Sequence, residues 1–146
     1  MSAVAEQAIM TRLAANAGVS AIVSTRIYPH SAPQSATMPY IVYQRIDAVH
    51  EHHMRGASGM YHSRVQLDLY VSSYSGLIAL RDVVRLALDG YVGDITVGSD
   101  IVRIKKCFLD NDQEIFYPPE DATQKGIFRA ILDYIVTSEE VTPSFT

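Results

Sequence analysis

Four histidines fall within thirteen residues of this chain, from His50 to His62, with Glu51 among them. Imidazole nitrogen is a common zinc ligand, but Met54 stands where the zinc-metalloprotease helix needs its second histidine. A looser zinc site would use His50 and His52 on one side of a strand, with His62 across a hairpin. The alternative is a solvated loop whose histidines only titrate near pH ~6.5, and we expect no metal and no cofactor.

Other catalytic signatures are missing from the sequence. The stretch GASGM lacks the G-x-S-x-G spacing of a nucleophile elbow, so we interpret Ser58 as a turn residue. Cys107 follows Lys105 and Lys106, whose charges could lower its pKa, but a lone cysteine in a strand is more often a small buried hydrophobic residue. Phosphate-binding and dinucleotide-binding glycine patterns are absent. The sequence therefore favours a protein that is not an enzyme.

The segment DNDQEIFYPPEDATQKG, residues 110–126, gathers five acids, two aromatic residues and two prolines. A connection of this length in a compact domain is usually functional or disordered. Its aromatic and proline residues favour a stiff, extended arm that lies on a partner, and the alternative is a charged surface excursion. The candidate partner contacts of this arm are Glu114, Phe116, Tyr117, Glu120 and Asp121.

Composition limits the class of protein. The 146 residues, 48% of them hydrophobic, fit one globular domain over residues 1–146. A chain of this size buries roughly 68 to 70% of its unfolded surface and needs neither disulfide nor metal for its core. The net charge of -4 and the scattered basic residues argue against DNA as the main ligand. Because Glu6 and Arg12 interrupt the apolar N-terminus, we expect neither signal peptide nor membrane span, and an intracellular protein.

Two amphipathic helices are expected, over residues 4–18 and 74–91, because apolar residues recur there at three-and-four spacing. Residues 19–25 are apolar but short, and residues 26–39, with three prolines, are expected to form a loop. The expected cap and stop residues are Ser2 and Gly18 for the first helix, and Ser75 and Gly90 for the second.

Alternating and β-branched residues predict five strands. A mobile connection over residues 50–60 joins the first two of them. On the fourth strand Val102, Ile104 and Phe108 are expected to share a face. The expected strands are residues 40–49, 62–72, 93–100, 101–111 and 126–136.

These elements predict an α+β fold, a two-layer sandwich in which two helices cover a mainly antiparallel sheet of about four to five strands, in the order α-β-β-α-β-β-β. On the last strand Phe128, Ala130, Leu132, Tyr134 and Val136 are expected to face the helices. The other sheet face is too apolar to be left entirely in water, so either it forms a subunit interface or loops cover part of it. This uncovered face is expected to contain Ile127, Arg129, Ile131, Asp133 and Ile135 of the last strand, with Ile41, Tyr43, Arg45 and Asp47 of the first.

Two stretches carry a family resemblance. RIYPHSAPQSATMPYIVYQRI, residues 26–46, resembles a pattern of arginine-isoleucine-tyrosine-proline, a small polar loop, and proline-tyrosine-valine-tyrosine-glutamine. SGMYHSRVQLDLYVSSYSGLIALRDVVRLALDG, residues 58–90, is similar to a strand-then-helix block closing on leucine-aspartate-glycine. On these motifs, most of the chain resembles the tail-completion or tail-terminator proteins of long-tailed phages, prophages and gene transfer agents. The HEHHM stretch and the acidic arm are not part of the pattern.

The resemblance implies a structural virion protein without catalytic residues. It implies a homo-oligomer, typically a hexameric ring, that caps the head-proximal end of the tail tube, ends polymerisation of the tube protein and contacts the head connector. DNA would be a passing cargo, no membrane would be involved, and the protein would lie in the virion tail after assembly in the host cytoplasm. The alternatives are a small His-rich metal-dependent enzyme and an adaptor that binds a peptide along its sheet edge. Candidate partner contacts outside the acidic arm are Tyr43, Arg45, Arg55, Arg129 and Ile131.

Overall fold

The computed structural model describes residues 4–120, 126–143 and 145. The expected cap Ser2 and the candidate contact Asp121 lie outside the described residues. None of the described helices has the length and apolar character that a membrane span requires. The elements are α1 (Ala5–Ala15), α2 (Ala17–Val23), β1 (Ile27–Pro29), β2 (Tyr40–His53), β3 (Gly56–Val71), α3 (Tyr74–Leu88), β4 (Gly93–Val97), β5 (Asp100–Tyr117) and β6 (Ile127–Glu139).

The described strands form one curled sheet in the order β1-β2-β3-β6-β5-β4, with helices packed on one face. All neighbours are antiparallel except β1 and β2, which are parallel. The expected combination of helices with a mainly antiparallel sheet is confirmed. The expected element count was too low, because one helix and one strand were assigned to connections.

The additional helix is α2, which begins at Ala17, two positions after α1 ends at Ala15. Asn16 separates them in an extended conformation, and its side chain accepts a hydrogen bond from the Val19 N–H at 3.1 Å. Val19 and Val23 are fully buried and fix this short helix to the core. The expectation that Gly18 ends the first helix was therefore wrong, since Asn16 performs that role and Gly18 lies within α2.

The additional strand is β1, inside the stretch expected to be a loop. Its flanking residues bond to β2, since the Arg26 carbonyl accepts from the Ile41 N–H at 3.0 Å and the His30 N–H donates to the Tyr43 carbonyl at 2.9 Å. Residues 30–39 then connect β1 to β2. Only three residues of β1 pair in register with β2, and this explains why the sequence alone did not indicate a strand.

The expected helix over residues 74–91 is present as α3, with a different cap. Ser73, rather than Ser75, accepts a hydrogen bond from the Gly76 N–H, at 3.2 Å. The stop residue was predicted correctly: Gly90 follows the C-cap Asp89 with φ +84°, a left-handed conformation that glycine adopts without strain.

The first two expected strands form an antiparallel hairpin, as predicted, but the connection expected over residues 50–60 is mostly strand. β2 continues to His53 and pairs there with Gly56, which leaves Met54 and Arg55 as a two-residue turn. Polar side chains on both strands gave these residues the composition of a loop. The backbone nevertheless continues the ladder, although the side chains of residues 49–56 are exposed.

The acidic arm is also mostly strand. Residues 110–117 continue β5 and pair with β6 as far as Tyr117 opposite Ile127. On the helix-facing side, Arg81 of α3 forms ion pairs with Asp112 and Glu114, which partly neutralise the strand. The expected long connection therefore shortens to residues 118–126, of which 121–125 are not described.

Register shifts in two strands change which residues face the core. Between Ile104 and Lys106 the β5–β6 register shifts, so Cys107 is fully buried while Phe108 points to the uncovered face and is 49% exposed. The expectation that Phe108 shares a face with Val102 and Ile104 was therefore wrong.

On β2, Ile41 pairs with Leu69, which pairs with Ala130, and all three are fully buried beneath the helices. The expectation that Ile41, Tyr43 and Arg45 lie on the uncovered face was therefore wrong, because the register, with Arg45 opposite the buried Val65, places all three on the helix face. A register shift between Arg45 and Asp47 then moves Asp47 onto the uncovered face, opposite Arg64. The expected alternation of β6 is confirmed: Ala130, Leu132, Tyr134 and Val136 are fully buried and Phe128 packs partly buried against the core.

The core beneath the helices predicts a large effect for Leu67→Ala. Leu67 is fully buried between Tyr43 of β2 and Leu132 of β6, so truncation should lower the free energy of unfolding by about 2–5 kcal/mol. The matched control is Val49→Ala on β2, 62% exposed, which should change stability by less than about 0.5 kcal/mol. Urea denaturation of both variants measures the difference, and equal effects would contradict the assigned register.

Candidate functional site

The sheet face opposite the helices, here called the open face, carries a row of tyrosines. Tyr28 of β1 meets Tyr40 of β2 edge to face, with ring centroids 6.0 Å apart. Tyr40 stacks on Tyr70 of β3 at 5.0 Å. Burial raises the pKa of both Tyr40 and Tyr70 above the ordinary tyrosine value, since it disfavours the charged phenolate. Three strands are thus joined by aromatic contacts on this face.

Arg129 of β6 continues this row across the sheet. Its guanidinium donates to Asp68 Oδ2 at 2.9 Å and to the Tyr117 hydroxyl at 3.1 Å, and lies 5.5 Å from the centroid of the Tyr70 ring. Burial lowers the pKa of Arg129, but its hydrogen bonds to Tyr117 and Asp68 outweigh burial and the net shift is upward. Asp68 is 4% exposed and also accepts from the Gln66 amide at 3.0 Å. Through its bonds to Asp68 and Tyr117, Arg129 therefore connects β6 with β3 and with β5.

A loop covers one part of the open face. His30, Ser31 and Ala32, which follow β1, enclose a polar cavity of about 310 Å³ together with residues of the tyrosine row and the Arg129–Asp68 pair. Ile131 and Ile135 of β6 remain half-buried on this face, while Phe108 of β5 is 49% exposed. The open face is therefore partly covered by the chain itself and partly apolar and accessible.

A second ion cluster lies on the open face beside the first. Arg64 of β3 contacts Asp110 of β5 at 2.9 Å and Asp133 of β6 at 3.6 Å. The hydrogen bond that Arg64 donates to Asp110 raises the pKa of Arg64, since it favours the charged guanidinium. The two arginines of β3 and β6 on this face, Arg64 and Arg129, are thus both paired with carboxylates.

Two of the histidines near the hairpin tip, His50 and His62, are each paired with a carboxylate rather than with one another. His50 Nδ1 lies 2.7 Å from Glu140, and its ring stacks on Tyr61 at 5.3 Å. His62 lies 2.7 Å from Glu51 through Nε2 and 2.7 Å from Thr137 through Nδ1.

The sheet register keeps these histidines apart. His62 pairs with Val49, and Tyr61 pairs with His50, so successive residues place His62 and His50 on opposite faces of the hairpin. His52 pairs with Ala57, nearer the turn. Among the residues that the structure describes, no group of three or more His, Cys, Asp or Glu side chains could hold a metal ion. The zinc arrangement considered from the sequence is therefore not assembled.

The candidate contacts fall at three places in the fold. Arg129 and Tyr117 are hydrogen-bonded on the open face, and Ile131 lies beside them, opposite Asp68. Arg45 and Arg55 are exposed toward the hairpin tip, whereas Tyr43 packs against the core. Glu114, Phe116 and Glu120 are exposed at the other end of the sheet. The structure therefore does not bring the nine described candidates into one site.

Phe116 belongs to an aromatic cluster at that far end. Its ring lies 4.6 Å from Phe128, which lies 5.8 Å from Tyr74 at the start of α3. Phe116 and Tyr74 are 51% and 50% exposed. Large side chains with this exposure at a strand end form an apolar surface available for contact.

Asp68, Tyr70 and Arg64 were not among the site residues expected from the sequence. Their alternation in the predicted strand already placed them on its polar face, and an aspartate in the middle of a strand is unfavourable without a partner. Asp68, an aspartate in the middle of a predicted strand with no evident partner, was therefore the feature of the sequence that indicated this site. Its partner Arg129 is distant in sequence, so only the sheet pairing identifies the contact.

Comparison with protein families now adds an identification. The model of the family described as tail completion protein gp17 matches residues 7–135, most of the chain. The chain belongs to this family. The family resemblance stated from the two sequence stretches is therefore confirmed, and the chain is a structural protein of phage-type tails.

A solved structure shares the fold. A chain in the structure titled "Virion of native gene transfer agent (GTA) particle" superposes with a TM-score of 0.68 and 18% identity, over 92% of this chain and 94% of that chain. At this identity the likeness shows the fold alone. Comparison with curated protein sequences gives no match.

The Arg129–Asp68 pair leads to a stability prediction. Arg129→Met leaves the buried Asp68 carboxylate without its countercharge, and because Arg129 is 22% exposed we expect a loss of about 2–3 kcal/mol. The double variant Arg129→Met/Asp68→Val removes both charges and should recover most of this loss. Guanidinium denaturation of both variants measures this, and a stable single variant would contradict the role of the pair.

Cys107 leads to a prediction about pH. Burial raises the pKa of its thiol from 9.0 to about 12, so the folded chain keeps it protonated, as expected for a small buried residue. Its contribution to stability is present below the unfolded pKa and is lost as the pH rises toward 12. Ellman's reagent at pH 8 should react slowly with the native protein and rapidly in denaturant, and rapid native reaction would show an accessible thiolate instead.

Proposed function

We propose that this chain forms a closed ring, typically of six copies, on the head-proximal end of a completed tail tube, where it ends polymerisation and joins the tube to the head connector. The observation that carries this proposal is the family match over residues 7–135. The fold shared with a chain of a gene transfer agent virion supports it further. Its partners are further copies of itself, the tail-tube protein and the head connector protein.

The surfaces of the subunit support assembly into a ring. A closed ring uses heterologous contacts, in which two different surfaces of each copy meet. The chain offers such surfaces at opposite ends of its sheet: the hairpin tip with Arg55, and the aromatic cluster with Phe116. Arg55 at the hairpin tip is exposed, and Phe116 and Tyr74 of the aromatic cluster are 51% and 50% exposed, so both surfaces are accessible to partners.

The charge distribution supports passage of DNA as a transient cargo. The chain carries a net charge of -4, which disfavours persistent contacts with phosphate. On the open face, phosphate would have to break the bonds of Arg64 and Arg129 to Asp110 and Asp68. In this proposal the protein acts in the virion tail after folding in the host cytoplasm.

The test is polymerisation of the cognate tail-tube protein with and without this chain, followed by electron microscopy. We expect tubes of limited length with extra density at one end when the chain is present. The control is Leu67→Asp at the same concentration, because a carboxylate in the core should prevent folding. Tubes that keep growing and carry no cap in the presence of the native chain would overturn the proposal.

A further inference from the structure

The outer edge of β5, on the side away from β6, is protected only along its first half. β4 pairs with residues 100–104, and the end of α3 covers the next part. There the Cys107 carbonyl accepts from the Gly90 N–H at 2.6 Å, and the Leu109 N–H donates to Asp89 Oδ1 at 3.1 Å. From Asp110 to Tyr117, no described strand pairs with the outer edge.

The hydrogen-bonding direction along this edge follows from its neighbours. The Leu109 N–H points outward, toward Asp89. The register shift between Leu109 and Asn111 inserts one residue, after which Asn111 pairs with Asp133 of β6. Alternation then turns the backbone N–H and C=O groups of Asp112, Glu114 and Phe116 outward. Within the part of the chain that the structure describes, these residues present a row of backbone donors and acceptors that no neighbouring strand pairs.

Several features that normally protect an edge strand are missing from residues 111–117. Residues 111–117 contain no proline, glycine or lysine, and their pairing with β6 has no register shift. Arg81 holds the side chains of Asp112 and Glu114 on the helix side of the sheet. Ile115 and Phe116 are 37% and 51% exposed. An exposed, regular and partly apolar edge of this kind is a template for pairing with another strand.

The opposite edge of the sheet consists of β1 and of the part of β2 that extends beyond β1. The outward backbone groups of β1 are not available to another strand. Pro29 has no N–H, and its carbonyl accepts from the Ser31 N–H at 2.7 Å. The Ile27 N–H donates to the Thr25 carbonyl at 2.9 Å. β2 extends far beyond β1, which pairs only with residues 41–43. The outer edge of β2 from residue 44 onward has no partner strand in the described part of the chain.

The same alternation gives the hydrogen-bonding direction on β2. Ile41 and Tyr43 turn toward β1, as their bonds to Arg26 and His30 show. The register shift between Arg45 and Asp47 inserts one residue, so Ala48 and His50 turn outward beyond it. β2 and β5 are separated by β3 and β6 in an antiparallel run, so they point in opposite directions.

We propose that the outer edge of β5, residues 112–116, pairs antiparallel with the outer edge of β2, residues 44–50, of a second copy of the chain. Rotation about an axis roughly parallel to the strands brings these opposite edges of two copies together in antiparallel orientation. Residues 112–116 and residues 44–50 lie toward opposite ends of the sheet. Neighbouring copies are therefore shifted along the strand direction, as neighbouring strands are in a barrel with tilted strands. This contact is the one that would join neighbouring copies in the proposed ring. It rests on the proposed function only for the closure of the copies into a ring.

The test compares two substitutions at Glu114. Glu114→Pro removes the outward N–H without touching the β5–β6 ladder, and Glu114→Ala removes the same carboxylate, and its ion pair with Arg81, but keeps the N–H. Sedimentation equilibrium should show self-association of the native chain and of Glu114→Ala, and at least a tenfold weaker association of Glu114→Pro. Circular dichroism checks that both variants are folded.

A cross-linking experiment identifies the second edge and does not depend on the proline variant. The helix-facing positions 114 and 48 are changed separately to give Glu114→Cys and Ala48→Cys, and the chains are mixed with a short bismaleimide. The buried Cys107 gives little background. We expect mixed dimers in excess of dimers of either chain alone.

Three results would overturn the edge contact: a native chain that stays monomeric at its highest soluble concentration, equal association of the two Glu114 variants, or cross-linking of Glu114→Cys mainly to itself. The tube assay is read separately. Capped tubes with unimpaired Glu114→Pro would leave the proposed function in place and remove this contact. Proline-sensitive association without capped tubes would support the contact and remove the function.

Discussion

The rest of the structure depends on the pairing of β6 with β3 on one side and β5 on the other. Every residue from Phe128 to Glu139 has a partner on β3, and most have a second on β5. This register places Leu132 and Tyr134 under the helices and Arg129 and Ile131 on the open face. A slip of one residue would exchange the two sets, burying arginine and aspartate in the core. The core and the assembly surfaces are thus determined by the same ladder.

The two irregularities of β5 adapt a long strand to three neighbours. The shift at Lys105 turns Cys107 inward and Phe108 outward, and the shift at Asp110 brings the carboxylate within 2.9 Å of Arg64. The strand can then continue to Tyr117, beyond the part that α3 and β4 cover. The ion pairs of Arg81 and Arg64 partly neutralise the acids of this segment, so it can remain extended beside the sheet.

Sequence patterns predicted the elements that carry their own periodicity. The alternation of β3 and β6 and the apolar stripe of α3 were sufficient because one face of each is buried by the same core. Elements that depend on distant partners were missed. α2 needs the Asn16 cap and burial of Val19, β1 needs β2, and the second half of β5 needs arginines from α3 and β3. The Arg129–Asp68 contact was missed for the same reason, since 61 residues separate its partners.

The family assigns the chain to phage-type tails, and the central claim is that it acts there as a closed ring between tube and connector. The most direct test is a cryo-electron microscopy reconstruction of the head–tail junction of particles that contain this chain. If the proposed ring forms, the reconstruction should show a single ring of this fold stacked on the last tube ring, with each sheet continuing into its neighbour. Density for the chain only at the distal tip, or as separate subunits without contact, would contradict it.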